Sequence, residues 1–280
     1  KYNPLFTLME KNEIDCFVIA PSADLRRMIG FSPNPCERFQ ALFIQSDRSH
    51  FIITNKIYYE DIKNNMLGDS TFYIWEDAES WVDCVADAFR DSERIPKTVA
   101  VNKNVRGIDL IDIQKKLPFV FFNGNEILEE IRIIKSSEDI KHLRTAARMA
   151  DEVMQNMTEF IKPGLTEKEI QIKIAECFAE KGADETAFAI VASGQNNSCP
   201  HYCNNNRVIT EKDVIILDFG CRVNGFCSDI SRTFFVGSIS EEEKKIYQIV
   251  SESYQAAANH IKEGVLASEV DQKARFVIKK

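Results

Sequence analysis

The stretch Val214-Ile215-Ile216-Leu217-Asp218-Phe219-Gly220-Cys221-Arg222-Val223-Asn224-Gly225-Phe226-Cys227-Ser228-Asp229-Ile230-Ser231-Arg232-Thr233-Phe234 decides how this chain is read. Two β-rich runs flank Asn224-Gly225, a dipeptide that suits the two left-handed positions of a tight hairpin turn. In that register opposed residues sum to 449, so Val223 faces Phe226 and Asp218 faces Ser231. Side chains alternate along a strand, so Asp229, two positions before Ser231, shares a sheet face with Asp218. The two aspartates are diagonal neighbours, with backbones roughly 7–8 Å apart. A bulge near Gly220 would shift this register.

Asp218 follows four apolar residues, a pattern expected of a strand buried on both faces. A buried carboxylate without a partner is costly, and two side by side raise each other's pKa. A shared divalent cation resolves that conflict, so Asp218 and Asp229 are candidate metal ligands. The alternative is that one or both are surface strand positions.

Working outward, the polar loop Ala192-Ser193-Gly194-Gln195-Asn196-Asn197-Ser198-Cys199-Pro200-His201-Tyr202 leads towards the hairpin. His201 lies between Cys199 and Cys203, but that spacing matches no usual zinc site and supplies only three ligands. His50, His142 and His260 fall in a strand or helices and read as structural. Upstream, Ile140, Leu143, Ala147, Ala150, Met154, Met157 and Ile161 step by three and four, which predicts a long helix from about Ser136 with one apolar stripe. Its methionines fill the core, and Pro163-Gly164 ends it. Thr166-x-x-Glu169 is a capping box opening a second helix to about Lys181. Strand-like segments run from Thr186 through Val236. The pattern then restarts, with a capping box at Ser240-x-x-Glu243 and Ile261-Lys262-Glu263-Gly264-Val265 echoing Ile161-Lys162-Pro163-Gly164-Leu165 at an offset of 100. This reads as an internal repeat of two helices followed by strands. The second copy stops before its strands, so the chain is expected to be truncated, and if the copies match in length on the order of 55 or more residues are missing after Lys280. The absent initiator methionine likewise admits residues upstream of Lys1.

Residues 1–125 have a different character. Cys16–Ile19, Ala41–Gln45, Phe51–Thr54, Thr71–Trp75 and Thr98–Val101 read as strands, and Tyr58–Asn64, Trp81–Arg90 and Asp109–Lys116 as helices. The expected fold is α/β (α+β), with a mixed-sheet N-terminal domain over 1–125 and a second domain over 126–280. The 280 residues carry 35 basic and 43 acidic side chains, for a net charge of −8, which disfavours nucleic acid. No apolar run is long enough to span a bilayer and no signal peptide opens the sequence. Eight cysteines without a C-x-x-C pair suit reduced thiols and a cytoplasmic location.

Taken in order, Ile190-Val191-Ala192-Ser193-Gly194, Pro200-His201, Leu217-Asp218-Phe219-Gly220 and Gly225-Phe226-Cys227-Ser228-Asp229-x-Ser231-Arg232-Thr233-Phe234 resemble the prolidase and Xaa-Pro aminopeptidase branch of the pita-bread metallopeptidases. The lead-in Arg132-Ile133-Ile134-Lys135-Ser136-x-Glu138-x-Ile140 is similar to the entry of that catalytic domain. Ile29-Gly30-Phe31 and Glu37-Arg38-Phe39 resemble the creatinase-type N-terminal domain that accompanies it. The resemblance implies two divalent metals, manganese or cobalt with zinc as the alternative, held by two aspartates, one histidine and two glutamates. Asp218 and Asp229 match the aspartates. His201 matches a substrate-facing catalytic histidine that is not a ligand. The ligand histidine, in a Gly-His-Gly segment, and both glutamates would lie in strands after Lys280. A chain with two of five ligands is expected to bind metal weakly and hydrolyse little. The implied reaction is hydrolysis of the bond preceding proline, in a dipeptide or a longer peptide, by a homodimer. Two other readings stay open: a non-catalytic pita-bread binding module, and a metal-free creatinase-like amidinohydrolase.

Overall fold

The computed structural model describes residues 3–92, 95–203 and 206–279. The backbone divides into two compact units, Lys1–Glu138 and Asp139–Lys280.

The first unit runs α1 (Asn3–Lys11), β1 (Cys16–Ile19), α2 (Ala23–Ile29), β2 (Ala41–Gln45), β3 (His50–Asn55), α3 (Lys56–Asn65), β4 (Thr71–Trp75), α4 (Trp81–Asp91), β5 (Thr98–Val101), α5 (Gly107–Gln114), β6 (Val120–Asn123) and α6 (Asn125–Ile133). Its six strands lie in the order β4-β3-β2-β1-β5-β6. The β1–β2 and β2–β3 pairs are antiparallel and the other three parallel, which is the mixed sheet expected. Alternation divides β1 between two cores. Cys16 and Val18 join Phe43, Phe51 and Phe89 on one face, while Phe17 and Ile19 join Leu42, Ile44 and Leu128 on the other. Helices cover both faces, so each fully buried aliphatic or aromatic side chain contributes roughly 1.5–3 kcal/mol. Four elements were not anticipated: α1, α2, β6 and α6. Of these α2 had a legible signature, with Ser22 accepting from Leu25 N at its start and Gly30 left-handed (φ 84°) at its end.

The second unit takes in α7 (Ser137–Phe160) from Asp139 onward, and α8 (Glu167–Glu180). There follow β7 (Glu185–Ser193), a short 3-10 turn at Gly194–Ser198, and β8 (Val214–Val223), β9 (Phe226–Cys227) and β10 (Ile230–Phe235). Helices α9 (Glu241–Ala258) and α10 (Ala267–Ile278) close the unit. The antiparallel sheet is ordered β10-β8-β7, with β9 also on β8. Helices α7 and α8 cover one sheet face. Met154, Met157, Ile174 and Phe178 meet Ile215, Leu217, Phe219 and Cys221, and Phe178 stands edge-on to Phe219 at 5.6 Å.

Three expectations are corrected here. The run Val214–Leu217 is buried on one face only: Ile215 and Leu217 are inaccessible, whereas Val214, Ile216 and Asp218 are partly open. The stripe of α7 holds from Ala150 to Met157, but Ala147 and Ile140 are exposed, and Ala146 and Val153 take the core positions. His260 sits in the turn after α9 rather than in a helix.

Both expected capping boxes form. Thr166 and Glu169 cap α8, and Ser240 and Glu243 cap α9. The repeat is also visible in the backbone: Gly164 and Gly264 are both left-handed, and α8 and α10 start 100 residues apart. In the second copy Leu266 has no side-chain acceptor, so only the glutamate half of the cap survives, Leu266 N donating to Glu269 at 3.1 Å. Among the described residues no helix is long and apolar enough to cross a membrane.

Candidate functional site

The hairpin after β8 has the register that Asn224-Gly225 predicts. Val223 pairs with Phe226, Asp218 with Ser231 and Phe219 with Ile230. Asn224 (φ 50°) and Gly225 (φ 82°) are both left-handed, as a two-residue turn of this hand requires. The turn is further tied by Asn224 Nδ2 donating to His142 Nδ1 at 3.0 Å and by His142 stacking on Phe226.

The ladder lapses at Ser228 and Asp229, between β9 and β10, without changing the register on either side. Gly220 makes room for the backbone there. A Cβ there would lie 1.9 Å from the carbonyl oxygen of Ser228, so only glycine admits that backbone. Ser228 is buried and locked to the facing strand. Its N–H donates to Cys221 O at 3.0 Å, and its Oγ accepts from Cys221 N at 3.1 Å. This tuck presents Asp229 beside Asp218.

The carboxylates of Asp218 and Asp229 meet on the sheet face opposite α7 and α8. Asp218 is half-buried on the central strand, where Ser231 Oγ donates to its Oδ1 at 2.7 Å. The Asp229 carboxyl is pushed above its ordinary range by partial desolvation, by the negative charge of Asp218 and by a hydrogen bond with that carboxylate. A proton or a cation between the two relieves the repulsion. The donor set is all oxygen, which fits a hard divalent ion such as manganese. Among the described residues no group of three or more His, Cys, Asp and Glu side chains is arranged to hold a metal.

His201 lies in an exposed turn after the Gly194–Ser198 segment. That segment is tied to the start of β8 by Asn197 Nδ2 donating to Val214 O at 2.8 Å. Among the described residues His201 makes no hydrogen bond to either aspartate. The structure therefore brings Asp218 and Asp229 together and holds His201 on a separate loop.

Sequence reasoning missed what anchors that loop. Glu167, the first residue of α8, is fully buried, and its Oε1 accepts from Ser193 N (2.7 Å), Ser193 Oγ (2.6 Å) and Asn196 Nδ2 (3.1 Å). Arg207 Nη1 donates to Ser193 Oγ at 2.7 Å, and its guanidinium grips Asp213 through two bonds of 2.6 and 2.7 Å. That grip holds the Asp213 carboxyl below its ordinary range. Residues 207–209 run antiparallel to 164–167, with Ile209 N donating to Leu165 O at 2.7 Å and Glu167 N to Arg207 O at 3.0 Å. The available signal was the acid directly after Thr166, but the same acid suits any helix N-terminus.

Comparison with known proteins agrees with this architecture. Residues 141–280 match the model of metallopeptidase family M24, and residues 3–134 match the creatinase/prolidase N-terminal domain. The uncharacterized peptidase YqhT of Bacillus subtilis is 31% identical over 98% of this chain and 76% of its own length. A Xaa-Pro dipeptidase of Pyrococcus horikoshii is 27% identical over 99% of this chain and 76% of its own. The solved structure of recombinant prolidase from Thermococcus sibiricus, 28% identical, superposes with a TM-score of 0.91 over 100% of this chain and 77% of that one. With its mixed α/β architecture and both domains matched, the chain belongs to metallopeptidase family M24 and carries the creatinase/prolidase type of N-terminal domain.

Proposed function

We propose that this chain is a Xaa-Pro peptidase, hydrolysing the peptide bond that precedes proline, with Asp218 and Asp229 as metal ligands and His201 facing the substrate. The observation that carries the reading is the pair of carboxylates set side by side by the Asn224-Gly225 register and the Gly220 tuck. The kinship supports the substrate class: the relatives from Pyrococcus horikoshii and Thermococcus sibiricus are a Xaa-Pro dipeptidase and a prolidase.

Two divalent ions, manganese or cobalt with zinc as the alternative, would be held in part by Asp218 and Asp229. When bound, such ions lower the pKa of water and polarise a scissile carbonyl. The protein's own contribution is orientation and charge. Ser231 holds one Asp218 oxygen and so sets which lone pairs face the cation. His201 donates a hydrogen bond to the oxygen that becomes negative as the amide is attacked. The working form in this reading is a homodimer in the cytoplasm. Two-fold pairing is the commonest oligomeric symmetry, and eight scattered cysteines suit a reducing compartment.

The test is hydrolysis of a Xaa-Pro dipeptide by the protein isolated from its source, with and without a strong chelator. Cleavage abolished by chelation and restored by manganese is expected. Turnover that survives chelation would move the assignment to a metal-free creatinase-like hydrolase, and absence of turnover with metal present to a non-catalytic binding module.

A further inference from the structure

The buried cluster around Glu167 has more connections to the His201 loop than packing alone requires. Its carboxylate receives three donors, from Ser193 N, Ser193 Oγ and Asn196 Nδ2. The second proton of Asn196 Nδ2 goes to Tyr202 Oη at 2.9 Å. Partial burial and the nearby charge of Glu167 push the Tyr202 phenol up, in keeping with its place beside Asn196 at the edge of the same cluster. Tyr202 is the chain neighbour of His201. Each donor is thus spoken for, and the single proton of Ser193 Oγ points at Glu167 because Arg207 donates into its other side.

We propose that Glu167 is a positioning residue, whose buried carboxylate holds Ser193, Asn196 and Tyr202 so that His201 is presented in one fixed place. This rests on the substrate-facing role proposed for His201, and it adds a residue distant in sequence that sets that role. The charge itself is what matters. Glutamine has the same shape, but its Nε2 donor must take the place of one oxygen: at Oε1 it confronts Ser193 N–H, and at Oε2 it confronts Asn196 Nδ2, so either way the match of acceptors to buried donors is lost. The location supports the charge: the first turn of α8 favours an anion, and Arg207 supplies a nearby cation.

The experiment follows the imidazole signals of His50, His142, His201 and His260 by NMR with labelled histidine, assigning His201 by its loss in His201→Ala. Glu167→Gln is expected to shift or broaden the His201 signals and leave those of His50, His142 and His260 in place. Tyr202→Phe, which removes one hydroxyl, is expected to do the same more weakly. Val153→Ala, a core truncation in the same unit, should lower stability without touching the His201 signals. In peptide hydrolysis, kcat of Glu167→Gln should fall on the order of tenfold to a hundredfold, the range for a misplacement of about 1 Å, with KM and metal content nearly unchanged. A folded Glu167→Gln with unaltered His201 signals overturns the proposal. Should that variant not fold, unaltered His201 signals in Tyr202→Phe overturn it instead. The ring signals decide the positioning claim even if no Xaa-Pro hydrolysis is found, so its failure and that of the functional reading are told apart.

Discussion

Replacing Gly220 by alanine tests the geometry of the aspartate pair without touching either carboxylate. The added Cβ would sit 1.9 Å from Ser228 O, whereas real Cβ atoms essentially never come within 3.0 Å, so that carbonyl has to retreat by at least about 1.1 Å. It is backbone, and it cannot swing aside as a side-chain tip would. Ser228 is held by two hydrogen bonds to Cys221, of 3.0 and 3.1 Å, which such a shift breaks. Each is worth about 1 kcal/mol, and overpacking a tight site costs about 1–3 kcal/mol more. The expected loss is therefore about 3–5 kcal/mol, measured as a lower urea midpoint for the second unit. Because Asp229 follows Ser228 directly, manganese affinity should fall as well, read by calorimetric titration at a urea-free temperature where the variant is folded. A Gly220→Ala protein within about 0.5 kcal/mol of the parent, with unchanged manganese affinity, would refute the argument that this close approach builds the site.

The raised Asp229 carboxyl makes a signed prediction about pH. A carboxyl whose folded pKa lies above its unfolded value stabilises the metal-free fold at pH below the unfolded value near 3.8, and this contribution is lost as pH rises through the folded value. Urea titrations of the metal-free protein should therefore show that Asp229→Asn removes a component that weakens the parent over that interval; parallel pH profiles would count against the coupling to Asp218. His201→Ala should lower turnover on the order of a hundredfold, as for loss of one donor to a developing oxyanion, while bound metal measured by atomic absorption stays nearly constant. Loss of the metals in that variant would show that His201 serves as a ligand.

Where a local rule left one choice, the sequence was enough. Asn224-Gly225 strongly favours a left-handed pair, so the register of β8 against β10 and the adjacency of Asp218 and Asp229 followed from it provided no bulge intervened at Gly220, and none does in this pairing. The capping boxes at Thr166 and Ser240 marked helix starts for the same reason. Burial was less legible. Val214–Leu217 has no polar residue to betray an open face, so its one-sided burial depends on α7 and α8 covering only one side of the sheet. The Glu167 cluster escaped because its members lie far apart in the chain and each has an ordinary local role: Glu167 as a helix-start acid, Asp213 as a turn residue and Arg207 as a loop cation. Only the antiparallel run of 207–209 along 164–167 makes them one structure.

Manganese titration of the parent protein beside Asp218→Asn and Asp229→Asn reaches the central claim most directly. If the two carboxylates share a divalent ion, either substitution should weaken binding at least tenfold, because it replaces one ligand oxygen by a non-coordinating NH2 and removes a negative charge from the site. Manganese binding equal to the parent's in both variants would contradict the account.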